Sequence, residues 1–285
     1  MSLDQIKKVA VLGAGTMGNG IAHVFARAGY SVILRDVETR FLDRGLETIG
    51  KNLDREVKKE KIAAAEKPLT LARIQPTTDV SALAAADFAV EAVPEQLDLK
   101  VRLLRDVDAV LQPGVILASN TSSISITQLA AQTSRPEKFI GMHFMNPVPI
   151  MAPVEVIRGL ATSEDTFQTT TLLCEKLDKK PVAVNDAPGF VSNRVLMPLI
   201  NEAAFAVMDG VASPEAVDAV LKMGMNHPMG PLELADFIGL DVCVNILDVL
   251  QTGFGDPKYR ACPLLRKYVA AGWLGRKSGR GFYKY

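Results

Sequence analysis

Short apolar runs alternate with longer amphipathic stretches over the first two thirds of the chain. The runs are three to six residues long, which is typical of strands that are buried on both faces. They lie at residues 9–12, 31–35, 88–93, 115–118, 139–143 and 182–184. Helices are predicted between them, notably at 19–27, where Gly29 ends the helix, and at about 38–61. Strands that alternate with helices pair in parallel, so the pattern predicts a Rossmann-like, doubly wound α/β sheet.

The pattern changes after the run at 182–184. Asn185-Asp186-Ala187-Pro188-Gly189 is a turn-rich break, and almost no strand signal follows it until the last few residues. Residues 191–208 have a helical apolar period, and Ser213-Pro214 is a good helix start, with serine as N-cap and proline at the first helical position. We therefore predict two domains, a Rossmann-like domain at 1–186 and an all-α domain at 187–285.

Composition and charge narrow the classes of function. Of the 285 residues, 48% are hydrophobic and 22% are charged, so the chain can bury a sizeable core. The 32 basic and 32 acidic side chains give a net charge of zero, which argues against nucleic acid or a membrane surface as a partner. The three cysteines form no CxxC pair, so neither a disulfide framework nor a metal site is indicated. No apolar run reaches the ~20 residues of a membrane span and no leader peptide is visible, so we expect a cytoplasmic protein.

A glycine-rich segment follows the first apolar run directly. Gly13-Ala14-Gly15-Thr16-Met17-Gly18 fits GxGxxG between a predicted strand and a predicted helix. The first glycine permits a tight turn, the second lets a pyrophosphate approach, the third allows close packing, and the helix N-terminus stabilises the phosphate charge. Asp36, at the end of the second strand, can accept hydrogen bonds from an adenine ribose and would repel a 2′-phosphate. The segment predicts NAD as cofactor, although Arg35 beside Asp36 could accommodate the extra phosphate of NADP.

One of the three histidines is a candidate for proton transfer. His143 ends a strand-like run, where open α/β sheets bind ligands, whereas His23 and His227 are interpreted as structural. Glu155 follows twelve residues later in an apolar segment, where a lone carboxylate is costly to bury unless it is paired. It lies either on the exposed face of an edge strand or against the imidazole, where it would fix the tautomer and stabilise the imidazolium. In the second arrangement His143 could take a proton from an alcohol while hydride leaves the same carbon.

Four ordered motifs extend from the middle of the chain to its end. They are Asn120-Thr121-Ser122-Ser123, His143-Phe144-Met145-Asn146-Pro147-Val148-Pro149, Pro188-Gly189-Phe190-Val191-Ser192-Asn193-Arg194 and Gly281-Phe282-Tyr283-Lys284-Tyr285. Together with the glycine-rich segment, these motifs resemble those of the L-3-hydroxyacyl-CoA dehydrogenases, and those of bacterial 3-hydroxybutyryl-CoA dehydrogenases most of all. Met145 and Pro94 differ from the commonest family residues at these positions, and neither difference removes a catalytic group.

The resemblance implies roles for the matching residues. His143 would be the general acid/base and Glu155 its partner. Ser122 would bond the reacting oxygen and lie close to the nicotinamide, and Asn193 would help to position the substrate. The family also uses four side chains around the cofactor, which here are Glu95, Lys100, Asn146 and Lys277. Simpler interpretations exist, since Ser122 could cap a turn, Asn193 could be an ordinary polar helix residue, and Lys277 could be solvated surface.

Coenzyme A carries phosphates, so its binding calls for cations. Lys51, Arg55 and Lys59 recur every four residues on the long predicted helix and would form one cationic stripe. We expect Arg55 and Lys59 to contact the phosphate or adenosine end of the thioester. Glu56 and Glu60 each follow one of these cations directly in the sequence and so lie beside the stripe on the helix. The alternative to a coenzyme A site is therefore a solvated helix face of mixed charge.

The resemblance implies reversible NAD-dependent oxidation of an L-3-hydroxyacyl-CoA, such as 3-hydroxybutyryl-CoA, to the 3-oxoacyl-CoA. The alternatives are a dehydrogenase of free 3-hydroxy acids and a non-catalytic, crystallin-like NAD-binding protein. Apolar runs such as 203–208 offer more apolar surface than about 100 residues can bury alone, so we predict a homodimer through the helical domain, as the resemblance also implies. Neither the acyl chain length nor the physiological direction follows from the spacing of residues.

Overall fold

The structure is a computed structural model that describes residues 3–285. The chain forms two compact units, Met1–Asp186 and Ala187–Tyr285. Eight strands make up the sheet of the first unit: β1 Lys8–Leu12, β2 Ser31–Arg35, β3 Ile74–Thr77, β4 Phe88–Glu91, β5 Ile116–Ser119, β6 Phe139–Phe144, β7 Pro153–Arg158 and β8 Lys180–Asn185.

The sheet has the order β3-β2-β1-β4-β5-β6-β7-β8. Strands β1 to β6 run parallel in the order of a Rossmann fold, so the predicted α/β architecture is confirmed. The last two strands run opposite to the other six, because β7 pairs antiparallel with β6 and β8 is parallel to β7. The connection from β6 to β7 contains only residues 145–152, whereas a parallel crossover needs roughly a dozen residues or more.

Six helices belong to the first unit: α1 Thr16–Arg27, α2 Thr39–Lys58, α3 Glu66–Ala72, α4 Leu97–Val110, α5 Ile126–Ala130 and α6 Glu164–Lys176. Side chains from both the sheet and the helices form a buried core, with Val11, Phe25 and Phe88 among its fully buried members. Burial of this apolar surface is the main favourable term in folding, and it fixes the strands whose ends carry the functional loops.

Some elements of the first unit differ from the sequence prediction, and α1 begins at Thr16 instead of residue 19. The helix expected at 38–61 ends earlier, at Lys58, and Glu60 then takes a positive φ of 56°. Strand β3 was not predicted, because Ile74 is its only buried residue and the strand contains Pro76. Proline lacks the N–H that a central strand needs, and β3 lies at the edge of the sheet, where proline is tolerated.

The second unit is helical, as predicted. Its helices are α7 Ser192–Met208, α8 Pro214–Gly224, α9 Pro231–Ile238, α10 Leu240–Phe254 and α11 Pro263–Ala270. Ser213 is the N-cap of α8 and its side chain accepts the Ala216 N–H, as the sequence indicated. The core of the unit includes the fully buried Ile200, Leu232 and Leu247. None of the helices among residues 3–285 has the length and apolar character required to span a bilayer.

Two buried carboxylates hold the C-terminal segment of the chain onto this helical core. Asp236 on α9 accepts hydrogen bonds from the N–H groups of Phe282 and Tyr283 at 3.0 and 2.9 Å. Asp218 on α8 accepts the Tyr283 hydroxyl at 2.7 Å and also the Leu232 N–H at the start of α9. The aromatic C-terminal motif is therefore an integral part of the second unit.

Candidate active site

The glycine loop lies between β1 and α1, and two of its glycines are required by close contacts. Gly13 has a φ of 101°, and a Cβ there would lie 2.7 Å from the Ala92 oxygen. A Cβ on Gly18 would lie 1.8 Å from the Gly13 oxygen, so α1 could not approach the loop. A Cβ on Gly15, by contrast, would contact no protein atom within 4 Å. This open approach to the backbone suits a pyrophosphate.

The N-terminus of α1 supplies the donors that such a ligand needs. Gly15 is the N-cap and provides no side-chain hydrogen bond to the helix. The first N–H groups of an α-helix have no partners within the helix, and they favour an anion. Thr16 is exposed at this end, whereas Met17 is partly buried and packs against the core. The loop and helix therefore fit the diphosphate of a dinucleotide.

Asp36 directly follows β2 and is bonded to the glycine loop. Its Oδ2 accepts the Ala14 N–H at 2.7 Å, and its Oδ1 accepts the Val37 N–H at 2.6 Å. Each carboxylate oxygen has a second lone pair, so the side chain can still accept hydrogen bonds from ribose hydroxyls. The neighbouring Arg35 is half-buried, and its Nε makes no hydrogen bond to any described residue.

Glu95 holds the loop that follows β5. Its Oε1 accepts the Thr121 hydroxyl at 2.6 Å and the N–H groups of Ser122 and Ser123 at 2.9 and 3.0 Å. Burial would raise the pKa of the Glu95 carboxyl, but the Lys100 ammonium and these hydrogen bonds together lower it below its usual value. The charged carboxylate thereby keeps the partly exposed Ser122 in a defined place at the end of β5.

Lys100 is buried behind this loop. Its Nζ donates to Glu91 Oε1 at 2.7 Å and to the Val93 oxygen at 3.2 Å, and lies 3.3 Å from Glu95 Oε2. An ammonium has three N–H donors, so these three acceptors use its full capacity. Lys100 and Glu91 are almost completely buried, and the ammonium therefore acts on the surface loop through Glu95.

Sequence reasoning missed two polar residues beneath the same loops. Glu91 ends β4 and, besides Lys100, accepts the Ser119 hydroxyl at 2.6 Å. Asn120 donates its N–H to the Glu91 oxygen and accepts the Phe144 N–H at 2.9 Å through Oδ1. Glu91 could have been identified from the sequence, because it is the single acid at the end of the otherwise apolar run Phe88-Ala89-Val90-Glu91. These bonds join the ends of β4, β5 and β6.

His143 and Glu155 face each other across the antiparallel strands β6 and β7. The two residues are register partners, and Glu155 Oε2 lies 2.7 Å from His143 Nδ1. Both are buried, with 8% of His143 and 4% of Glu155 exposed, and β7 is an inner strand between β6 and β8. The alternative interpretation of Glu155 as an exposed edge-strand residue is therefore wrong. A carboxylate at Nδ1 requires a proton there, which leaves Nε2 as the basic nitrogen of the neutral ring.

The parallel order of β1 to β6 brings the candidate groups of the first unit to one edge of the sheet. The carboxyl ends of β1, β4, β5 and β6 meet there. The segments that follow them contain the glycine loop, Glu95, Ser122 and the exposed Asn146. In open α/β sheets, ligands bind at this edge.

Two predicted site residues belong to the second unit. Asn193 lies in the first turn of α7, is largely buried, and donates its N–H to the Gly189 oxygen at 3.1 Å. Gly189 and Phe190 precede it with φ values of 73° and 51°, an unusual backbone for phenylalanine. Lys277 is exposed, and its Nζ lies 2.7 Å from Asp241 Oδ2.

The cations proposed for coenzyme A lie near the C-terminal end of α2. Arg55 and Lys59 are both exposed, although Lys59 lies one residue beyond the last helical residue. Lys51 is 2.5 Å from Glu47, so the three cations do not form one continuous unpaired stripe. The alternative of a solvated face of mixed charge is wrong for Glu56, which is buried and accepts a hydrogen bond from Arg27 at 3.2 Å. Glu56 lies on the buried face of α2, because Ile49, Leu53 and Glu56 occupy positions i, i+4 and i+7 of the helix.

Comparison with known proteins agrees with this geometry. The NAD-binding domain model of 3-hydroxyacyl-CoA dehydrogenase matches residues 8–187, and the C-terminal domain model matches residues 189–285. A probable 3-hydroxybutyryl-CoA dehydrogenase of Bacillus subtilis is 54% identical over 281 residues, which cover 99% of this chain and 98% of the relative. The 3-hydroxybutyryl-CoA dehydrogenase of Bradyrhizobium diazoefficiens is 53% identical over 280 residues, with 98% and 96% covered.

Solved structures give the same result. The crystal structure of (S)-3-hydroxybutyryl-CoA dehydrogenase from Ralstonia eutropha superimposes with a TM-score of 0.96 at 52% identity, and 99% of each chain is covered. The predicted cofactor, NAD, and the predicted resemblance are therefore confirmed. This protein is an NAD-dependent oxidoreductase, and the chain belongs to the 3-hydroxyacyl-CoA dehydrogenase family.

Proposed function

We propose that this protein catalyses the reversible NAD-dependent oxidation of L-3-hydroxyacyl-CoA thioesters to 3-oxoacyl-CoA, with 3-hydroxybutyryl-CoA as the preferred substrate. The main support is the buried His143–Glu155 pair, which lies in a sheet whose carboxyl edge also bears the glycine loop. The near full-length relatives named 3-hydroxybutyryl-CoA dehydrogenase support the choice of substrate.

His143 would transfer the proton. NAD supplies the hydride acceptor when it is bound. Since Glu155 accepts the Nδ1 proton, Nε2 of the neutral imidazole takes the proton of the substrate 3-hydroxyl. In the opposite direction the imidazolium returns that proton to the 3-oxo oxygen. The negative charge of Glu155 stabilises the imidazolium and holds the ring plane during both steps.

Neutral groups would orient the substrate oxygen. A hydroxyl at Ser122 and an amide at Asn193 can both donate hydrogen bonds without neutralising the base. The contacts of Ser122 with Glu95 limit the movement of its backbone, and Lys100 holds the Glu95 carboxylate in turn. We infer that Lys100 supports cofactor and substrate binding through Glu95.

The cofactor would lie along the carboxyl edge of the sheet. The glycine loop and the first turn of α1 bind the diphosphate, and Asp36 accepts hydrogen bonds from the adenine ribose. Glu95 and Asn146 contact the nicotinamide end from the first unit, and Lys277 contributes from the second. Arg55 and Lys59 bind the phosphate or adenosine end of coenzyme A.

The second unit would also form a homodimer. Several of its apolar side chains are exposed, among them Val211 at 76% and Met223 at 81%. Contiguous exposed apolar surface marks association sites, and Val220 and Met223, which are 59% and 81% exposed, are i, i+3 neighbours on one face of α8. Light scattering at micromolar concentration should give twice the mass of the chain, and a monomeric mass would refute the dimer.

One assay separates the proposed function from its alternatives. Oxidation of NADH, followed at 340 nm, should depend on acetoacetyl-CoA, and free acetoacetate should be a much poorer substrate. Equal activity with the free acid would identify a dehydrogenase of 3-hydroxy acids. NADH binding without turnover of either compound would identify a non-catalytic binding protein.

A further inference from the structure

Lys179 is a buried lysine that lies between α6 and β8, and the proposed reaction assigns it no role. Only 6% of its surface is exposed. Its Nζ donates hydrogen bonds to the Val148 oxygen at 2.5 Å and to the Met151 oxygen at 2.8 Å. Both acceptors belong to residues 145–152, the loop that joins β6 to β7. A single ammonium therefore holds this loop at two points.

The same loop is tightly packed against α1. Val148 is buried, and a Cβ added at Gly20 would lie 2.8 Å from the Val148 Cβ. The loop is also tied where it ends, because Lys180 donates its N–H to the Ala152 oxygen at 2.8 Å. Displacement of the loop therefore requires that several contacts break together.

The loop connects the groups on which the proposed chemistry depends. His143 lies two residues before the loop, Asn146 lies within it, and Glu155 lies on the strand that follows. The sheet fixes His143 and Glu155 by register, whereas Asn146 is exposed and lies outside both strands. The position of Asn146 therefore depends on the contacts of the loop.

The surroundings of Lys179 disfavour the charged form of its side chain. Burial, followed by the charge of Arg27, lowers the pKa of the Lys179 ammonium. A buried ammonium is tolerated when its donors find acceptors, and the two loop carbonyls accept two of its three N–H groups here. A nonpolar side chain would avoid the desolvation cost but would leave both carbonyls without their donor.

We propose that Lys179 is a positioning residue that fixes loop 145–152 and thereby sets the place of Asn146 at the nicotinamide end of the cofactor site. The proposal rests on the cofactor role assigned to Asn146 under the proposed function. It identifies a buried side chain, remote in sequence from the glycine loop, as a determinant of NADH affinity.

The dissociation constant for NADH, measured by fluorescence titration, tests the proposal without any substrate. Lys179→Met removes the donors while it keeps most of the side-chain volume, and should raise the dissociation constant by about tenfold. Lys180→Met removes the exposed neighbouring lysine and should change the constant by less than about twofold. A folded Lys179→Met protein that binds NADH like the parent would overturn the proposal.

A double-mutant cycle with Asn146→Ala separates positioning from a general loss of structure. If Lys179 acts through Asn146, Lys179→Met should have little further effect on NADH binding in the Asn146→Ala background. The same loss in both backgrounds, or an Asn146→Ala protein with unchanged NADH affinity, would overturn the proposal. Because the measurement needs no acyl-CoA, failure of turnover with acetoacetyl-CoA would count against the proposed function alone.

A second variant displaces the loop from the opposite side, which covers the case in which Lys179→Met does not fold. Gly20→Ala should push Val148 away from α1 and weaken NADH binding in the same direction. Gly50→Ala is the matched control, because a Cβ at this helical position contacts no atom within 4 Å. Normal NADH affinity in folded Gly20→Ala would also count against the proposal.

Discussion

Glu155 lies directly opposite His143 in the antiparallel pair of β6 and β7, and its Oε2 is 2.7 Å from the imidazole Nδ1. Strand register, and not a flexible loop, thus determines the orientation of the imidazole ring. A ring fixed by the sheet loses little additional side-chain freedom when substrate binds. This arrangement makes His143 the group whose removal should affect chemistry without affecting cofactor binding.

Replacement of His143 by glutamine should lower kcat by about 10² to 10⁴, because the general acid/base is lost. NADH affinity should change by less than about twofold, since glutamine has a similar polarity and a smaller volume. His227→Gln, in the second unit, is the control for loss of a histidine and should keep normal kcat. Steady-state kinetics with acetoacetyl-CoA and NADH measure both constants, and a His143→Gln enzyme with normal kcat would eliminate the proposed mechanism.

Replacement of Asp36 by asparagine should weaken discrimination against NADPH. The amide can still accept the Ala14 N–H, but it no longer repels a 2′-phosphate. We expect the ratio of kcat/KM for NADH over that for NADPH to fall by about tenfold or more, with Arg35 adjacent to the added phosphate. The exposed Asp43→Asn on α2 removes the same charge and should leave the ratio unchanged. An unchanged ratio in Asp36→Asn would show that another feature selects the cofactor.

Removal of the two cations at the end of α2 should weaken binding of the acyl-CoA thioester and leave binding of NADH unchanged. Arg55→Ala combined with Lys59→Ala should raise the KM for acyl-CoA about fivefold, because two exposed charge contacts with phosphate each contribute modestly. The KM for NADH should not change. Arg102→Ala combined with Lys180→Ala removes the same charge elsewhere in the first unit and serves as the control. Unchanged acyl-CoA affinity in the first double variant would exclude this site.

The glycine loop shows what local sequence can predict. Gly13 and Gly18 are required by contacts that involve only the turn, the helix that follows it and one adjacent strand. The Gly13 contact joins the motif to Ala92, which is distant in the sequence, whereas the Gly18 contact with the Gly13 oxygen lies within a contiguous motif, so the spacing of the glycines already specifies it. The same holds for Ser213 at the start of α8, where the N-cap hydrogen bond spans three residues.

The candidate site contains groups whose state depends on packing that sequence spacing does not reveal. A separation of twelve residues between His143 and Glu155 fits both an exposed strand and a buried pair, and only the folded sheet, in which the two residues are buried register partners, decides between them. Glu56 reads as part of a solvated face of mixed charge and Lys100 as a group that contacts the cofactor, yet both are buried against oppositely charged partners. Which face of a helix turns inward was decided here by the neighbouring helices and strands, not by the charge of one residue.

The burial of His23 can be tested by a measurement that does not depend on catalysis. The ring is completely buried between charged neighbours, and neither nitrogen has a hydrogen-bond partner within the described chain. Burial is the main cause that lowers the pKa of His23 from 6.5 to about 4, and it is opposed by Glu56 and reinforced by Arg27. The unfolded chain therefore binds a proton at this residue between pH 6.5 and about 4, whereas the folded protein does not.

Because the folded pKa is lowered, the free energy of unfolding should fall as the pH falls through this interval. His23 should account for about 2 kcal/mol of the loss between pH 7 and pH 5. In His23→Leu that contribution disappears, so the variant should lose about 2 kcal/mol less than the parent protein over the same change of pH. Urea denaturation at the two pH values, followed by circular dichroism, measures the difference, with His227→Leu as the control. Equal losses in the parent and in His23→Leu would mean that His23 can be protonated in the folded protein.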